Sequence, residues 1–222
     1  MKSIHIFASL SLALATTALA DHHEEKLTDH PEFPAKDFTT IFDGSNLDKI
    51  KTEGNWKIQD DNILGLEPRK GESGWTRYGS YLWLPDEYAD FTVDFDFKYE
   101  KGGNSGLYFR ISDESDATAN GWEVQILDNF GKEGKLIHHD MGGVIKTSPA
   151  SENASIAPGE WNQMTVKLKG THLQVLMNGK LVQDFDLAEK KAKDKELAAK
   201  GKIAIQDHGQ PFWVRNIQIK TP

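Results

Sequence analysis

Residues 91–99 read FTVDFDFKY. Phe91, Val93, Phe95, Phe97 and Tyr99 alternate with Thr92, Asp94, Asp96 and Lys98. Side chains of an extended chain point to opposite faces at successive residues, so this is a β-strand with one apolar and one polar face. On its N-terminal side, Phe38–Phe42 ends at the turn Asp43-Gly44. Trp56–Ile58 and Asn62–Leu66 flank Asp60-Asp61 as a hairpin, and Tyr81–Leu84 is stopped by Pro85. On its C-terminal side, Lys101-Gly102-Gly103-Asn104 turns the chain into Leu107–Ile111, and a further strand starts at Trp122. Met164, Val166 and Leu168 alternate with Thr165, Lys167 and Lys169. Leu173–Met177 meets Asn178-Gly179, a strong hairpin signal, and Leu181, Gln183 and Phe185 continue beyond it. Ile203–Gln206 and Trp213–Lys220 close the chain. Residues 188–200, dominated by Lys, Glu and Ala, read as one short charged helix with a solvated face. About eleven or twelve short strands without alternating helices predict an all-β sandwich or jelly roll of two antiparallel sheets.

The chain has 222 residues, a length that suits one β-rich domain. Its 26 Lys and Arg against 34 Asp and Glu give a formal charge of −8, which argues against binding nucleic acid. With no cysteine, disulfides, thiolate metal sites and cysteine nucleophiles are excluded. Lys2, the apolar run from Ile4 to Leu19 and the small-x-small Ala18-Leu19-Ala20 have the form of a signal peptide over residues 1–20. Cleavage after Ala20 leaves 25 basic and 34 acidic residues, a mature charge of −9. The run is too short and its exit too polar for stable membrane insertion, so the expected location is the periplasm or the medium. Residues 21–36 read as a flexible lead-in and 37–222 as a single domain.

Polar residues on particular strand faces point to a small-ligand site. In Gly121–Asp128 (GWEVQILD), Glu123 and Gln125 share a face; in Ile203–Gly209 (IAIQDHG), Gln206 and His208 share one. Tyr108 and Arg110 share a face of the Leu107 strand. Lined up on one sheet, these residues offer a guanidinium, a carboxylate, amides, a phenol and an imidazole, a convergence suited to binding and proton transfer. A buried polar network between sheets would use the same residue types. Asp128 lies an odd number of residues from Glu123. Only a bulge at Leu127 would bring both carboxylates to one face, where they could hydrolyse a glycoside; otherwise Asp128-Asn129 ends the strand as a turn. Asn104-Ser105-Gly106 reads as turn chemistry. No cofactor is required by the sequence. A divalent metal is left open, with Asp21-His22-His23 and His138-His139-Asp140 as the clusters to inspect; neighbouring histidines on a strand would point apart. The irregular stretch from Asn129 to Glu160 is long enough to be functional.

Several ordered segments carry a family resemblance: Phe42-Asp43-Gly44, residues 104–110 (NSGLYFR), residues 121–129 (GWEVQILDN), Gly159-Glu160-Trp161-Asn162, Asn178-Gly179, residues 205–209 (IQDHG) and residues 214–217 (VRNI). In this order the chain resembles the 3-keto-disaccharide hydrolases, also described as 3-keto-glucoside lyase/hydratase domains. Where that family often reads Gly-Ala-Ile-Tyr, this chain has Gly143-Val144-Ile145-Lys146. The resemblance implies a concanavalin-like jelly roll and cleavage of 3-keto-glycosides. Glu123, His208 and Asp128 would be the catalytic groups and Arg110, Tyr108, Gln125, Gln206 and Asn104 the substrate-binding ones. Within that set His208 or Glu123 would be the base, Arg110 with Gln206 would hold the enolate oxygen, and Glu123 or Asp128 would be the acid. The partners it implies are a small-molecule glycoside and a sugar 3-oxidoreductase that forms the ketone. The alternatives are a non-catalytic sugar-binding module using Tyr108, Trp75 and Trp213, or a retaining glycosidase using Glu123 and Asp128. The latter resembles the laminarinase-like Glu-x-Asp-x-x-Glu strand, with Gln125 in place of its Asp.

Overall fold

A computed structural model describes residues 37–72, 74–190 and 195–222; the leader, the lead-in and Asp21-His22-His23 lie outside the described residues. The strands are β1 (Thr39–Phe42), β2 (Trp56–Gln59), β3 (Ile63–Leu66), β4 (Leu82–Trp83), β5 (Phe91–Tyr99) and β6 (Asn104–Ile111). They continue as β7 (Trp122–Leu127), β8 (Asn162–Lys169), β9 (His172–Met177), β10 (Lys180–Asp186), β11 (Lys202–Ile205) and β12 (Phe212–Lys220). A large sheet runs β10-β9-β8-β5-β12-β3-β2, with β1 also on β12; a small sheet runs β4-β11-β6-β7. Every pairing is antiparallel.

The two sheets face each other across one apolar core. The alternation of β5 puts Phe91, Val93, Phe95, Phe97 and Tyr99 there, against Leu107 and Phe109 of β6, Val124 and Ile126 of β7 and Ile203 and Ile205 of β11. Burial of this much apolar surface is the main favourable term in a fold without cross-links. Asn178 and Gly179 both take positive φ, +51° and +77°, which matches the strand twist of a two-residue hairpin.

Two local departures bear on the site. The α-helix of the described residues is α1 (Ala117–Asn120), not a charged helix over 188–200. In that run residues 188 and 189 are turn, 190 is a bend, 195–200 are non-helical, and 191–194 lie outside the described residues. Tertiary hydrogen bonds to residues 195–198 win there over helix propensity. The second departure is a bulge in β6. Tyr108 pairs with Ala204 but Ile111 with Lys202, so β6 carries one extra residue. The bulge falls at Arg110, whose φ is +51°. It turns Ile111 onto the Tyr108 face, where the two share an apolar cluster with Tyr81 and Trp83.

Gly201 is what lets β11 approach this bulge. A Cβ on Gly201 would lie 2.5 Å from the carbonyl carbon of Arg110 and 2.5 Å from the Ile111 oxygen. Gly201→Ala is expected to destabilise the protein by about 1–3 kcal/mol, read as a lower urea midpoint; an unchanged midpoint would show that the backbones can part at no cost.

Candidate active site

The outer face of the small sheet is a grid set by strand register. One row across it is Trp83, Ala204, Tyr108 and Glu123. The next is Tyr81, Gln206, Gly106 and Gln125, with the Gln206 N–H donating to Gly106 O at 2.9 Å. Beyond it His208 meets Asn104. One end is apolar: Tyr81, Trp83, Tyr108, Ile111 and Ala204 pack with Ala117 of α1. The other end carries the polar residues.

Glu123 is the chemical centre. It is 7 % exposed, and Tyr108 Oη donates to its Oε2 at 2.6 Å. Its other oxygen fills space that only a glycine leaves: a Cβ on Gly106 would lie 2.4 Å from Oε1. Burial pushes its pKa up to about 7, against the opposing effects of the Tyr108 hydrogen bond and the Lys195 charge. A carboxyl poised near neutrality can take or give a proton at physiological pH.

The proton directions around Glu123 follow from its partners. Tyr108 spends its hydroxyl proton on Glu123, and Tyr81 spends its own on Trp75 O. Both phenol oxygens therefore accept, and Gln206 Nε2 reaches them at 3.2 Å (Tyr81) and 3.5 Å (Tyr108). That orients the amide and leaves Gln206 Oε1 buried without a donor among the described residues. Burial pushes both phenols well above their ordinary range, so they stay protonated. A second chain runs beside the first. Gln125 Nε2 donates to Asn104 Oδ1 at 3.1 Å, so Asn104 Nδ2 is the donor to His208 Nε2 at 3.3 Å. This assigns the His208 ring proton to Nδ1. Burial lowers the His208 pKa, against a backbone hydrogen bond and the Asp207 charge, and the ring is neutral at pH 7.

The structure thus brings together Glu123, Tyr108, Gln125, Gln206, Asn104 and His208. It does not bring Arg110 or Asp128. Positive φ at Arg110 breaks the alternation, and its guanidinium donates to the carbonyls of Ala89 (2.8 Å), Ala198 and Gly170 (3.3 Å). β7 has no bulge at Leu127, so Asp128 stays off the Glu123 face. It caps a turn, taking the N–H groups of Gly102 (2.8 Å) and Phe130 (3.3 Å). Nor can Gln206 hold an enolate oxygen, since its N–H₂ is spent on the tyrosines. Trp213 is on β12 of the other sheet, with Lys98 Nζ 5.1 Å from its ring, while Trp75 is exposed beside Tyr81.

The Asn129–Glu160 stretch is tied down. Asp140 takes Lys132 Nζ, Asn129 Nδ2 and the Ile137 N–H, each at 2.7 Å. Residues 142–145 then line the free edge of β7, with Ile145 N–H donating to Glu123 O at 3.0 Å. A turn at His138-His139 brings the two rings within 4.2 Å, but His138 Nδ1 accepts the Lys146 N–H and Asp140 faces away to Lys132. Among the described residues no three His, Asp or Glu side chains converge on one point.

Lys195 is a site residue that its sequence context conceals. Partly buried, it lies close enough to Glu123 for each charge to influence the other's titration. Composition read its segment as a solvated helix face, and no motif marks it.

Comparison with known proteins places the chain in a family. The 3-keto-alpha-glucoside-1,2-lyase-like domain matches residues 37–220, and the chain belongs to that family. A 3-keto-disaccharide hydrolase of Bacteroides thetaiotaomicron is 26 % identical over 236 aligned positions, covering 84 % of this chain and 79 % of that protein. A solved Parabacteroides distasonis structure, classed by name with the glycosyl hydrolases, is 29 % identical with a TM-score of 0.69, over 83 % of this chain and 99 % of that one. The carbohydrate-binding module CBM66 of Bacillus subtilis shares the sandwich, with a TM-score of 0.51 at 14 % identity over 83 % of this chain and 95 % of that one.

The buried carboxyl has a stability consequence. Its folded pKa lies above the ordinary value of 4.5, so the folded state holds the proton more tightly than the unfolded chain does. Stability from this group is present below about pH 4.5 and is lost as pH rises through about 7. Glu123→Gln keeps the acceptor for Tyr108 and removes the charge. It is expected to stabilise the protein by about 1–3 kcal/mol at pH 8 and by little at pH 4; a gain equal at both pH values in thermal melts would contradict the raised pKa.

Proposed function

We propose that this protein cleaves glycosides whose sugar ring carries a ketone at carbon 3. The observation that carries the reading is the Glu123 carboxyl, buried against Tyr108 and over Gly106 on a sheet face that also carries the uncharged polar groups of Gln125, Gln206, Asn104 and His208. Family membership supports the substrate class.

The ketone acidifies the C2 hydrogen. Glu123 takes that proton, and the C–H electron pair forms the C2=C3 enolate. The pair then returns to make C1=C2 as the C1–O bond breaks, restoring the ketone. The leaving oxygen takes a proton, which Glu123 now holds, and departs as an alcohol. Water adding across C1=C2 completes a net hydrolysis. Gln206 Oε1 has an unused acceptor and takes a sugar hydroxyl, and Asn104 and Gln125 hold the His208 ring in place on the same face. The ketone has to come from a sugar 3-oxidoreductase, and the leader read in residues 1–20 would put the cleavage outside the cytoplasm.

Purified protein incubated with 3-keto-trehalose is expected to release glucose and a 3-keto product by NMR, and to leave trehalose intact. Cleavage of trehalose itself would overturn the reading, and binding without turnover of either would favour a sugar-binding module. Glu123→Gln should cost at least about 10²-fold in rate, while Asp128→Asn stays within about twofold of wild type; an Asp128→Asn loss as large as that of Glu123→Gln would restore the paired-carboxylate mechanism. Because the base must be ionised, kcat/KM should climb with pH through about 7, the Glu123 pKa.

A further inference from the structure

That reaction needs a positive charge or a donor for the oxygen that becomes an enolate, and neither Arg110 nor Gln206 is free to supply it. Residues 195–198 run past the end of β7 and are held by three side-chain bonds. Lys195 Nζ donates to Gly121 O at 2.6 Å, Trp122 Nε1 donates to Glu196 O at 3.3 Å, and the Arg110 guanidinium donates to Ala198 O. Two of the anchors, Gly121 and Trp122, directly precede Glu123 in the chain. The third comes from the bulge in β6. The segment is thereby registered against the strand that bears the buried carboxyl.

We propose that Lys195 is the cationic partner of Glu123 and carries the negative oxygen formed on the substrate, with Arg110 as a positioning residue that acts through it. The proposal rests on reading the site as one that cleaves 3-keto-glycosides. A lysine in a run of Lys, Glu and Ala ordinarily extends its ammonium into water. Here Nζ turns back onto a main-chain carbonyl and is partly withdrawn from solvent. Among the described residues Gly121 O is its acceptor, so two of its three N–H groups remain for a ligand. An ammonium held on Gly121 O, two residues before the base, also suits the electron flow. As Glu123 takes the C2 proton its negative charge is lost and reappears on the C3 oxygen. A cation within electrostatic reach of that charge favours the transfer and needs no proton of its own. Burial lowers the Lys195 pKa, and the Glu123 charge opposes that and favours the ammonium. The groups acting on the pair are the hydroxyls of Tyr108 and Tyr81 around Glu123, and Lys146 and Asp116 around Lys195.

Wild type, Lys195→Met and Lys195→Arg are compared on 3-keto-trehalose, with melting curves to establish that each is folded. Lys195→Met is expected to lower kcat about 10²-fold with KM changed less than about threefold. Its rising pH limb should move upward by about one unit, since Glu123 loses a neighbouring cation. Lys195→Arg should recover most of the rate, and Arg110→Met should reproduce part of the loss with the same upward move. A Lys195→Met enzyme with wild-type kcat and an unmoved limb would overturn the proposal. So would an equal loss in Lys195→Arg, which would mean that bulk rather than charge matters. The ¹³C carboxyl titration of Glu123 is read independently of activity. If wild type leaves every keto-sugar intact, the functional reading and the catalytic role of Lys195 fall together. An upward move in Lys195→Met would then still establish the charge pairing, and no move would remove that as well.

Discussion

The seat of Glu123 constrains the rest of this structure. A carboxyl on the outer face of a four-stranded sheet would ordinarily stand in water. Gly106, its neighbour on β6, leaves the room a side chain would fill, and the carboxyl lies down into that room. Two consequences follow from the one contact. Removal from water raises the pKa toward neutrality, and Tyr108 must then aim its hydroxyl at the carboxyl to satisfy it. Once Tyr108 is committed as a donor, Gln206 can only donate back to it, and its other polar atom, the buried Oε1, is left as an acceptor. A single missing Cβ thus sets the hydrogen-bond polarity of the site for two residues beyond it.

The bulge at Arg110 joins site and scaffold in a similar way. A non-glycine residue at positive φ costs free energy and persists only where its surroundings hold it. Here three carbonyls from separate parts of the chain, those of Ala89, Gly170 and Ala198, take the guanidinium, and Gly201 admits the distorted backbone. The same bulge puts Ile111 beneath α1, closing the apolar end of the face. The guanidinium therefore binds together chain segments rather than a substrate.

Period-two alternation made most of this legible in the sequence. It groups Glu123 with Gln125, places Gln206 with His208, and sends the Phe and Val of β5 inward, because those strands are regular. It fails wherever the backbone leaves the regular state. Arg110 and Tyr108 are two residues apart and should share a face, but positive φ at Arg110 separates them. Asp128 behaves as the alternation says, and the bulge that would have joined it to Glu123 is absent. Trp213 alternates as expected on β12, yet alternation does not say to which sheet a strand belongs. Residues 195–198 fail differently: their composition favours a solvated helix, while the bonds that hold them come from residues some 74 to 88 positions earlier in the chain. Long-range partners of that kind leave no local pattern. The grouping of Glu123 with Gln125 holds because the register of its strand has no irregularity.

The balance of charge in the site separates enzyme from binding module more sharply than the fold does, since sandwiches serve both. Sugars are recognised by hydroxyls and aromatic faces, and neutral amides are enough for that. A module evolved only to hold a sugar would lose nothing by having Gln at position 123, and would avoid a buried ionisable group whose pKa shift corresponds to roughly 3 kcal/mol at neutral pH. Retaining a carboxyl there, with two protonated phenols close by, makes sense where the proton has to move. The aromatic rings argue the same way. Tyr81 and Tyr108 are both buried and turn their hydroxyls, not their faces, to the polar groups, so they are placed to set hydrogen-bond direction rather than to stack on a pyranose. The uncharged groups Gln206, Asn104 and His208 can orient a sugar and Glu123 can exchange a proton, a division of labour that the proposed elimination next to a ketone requires.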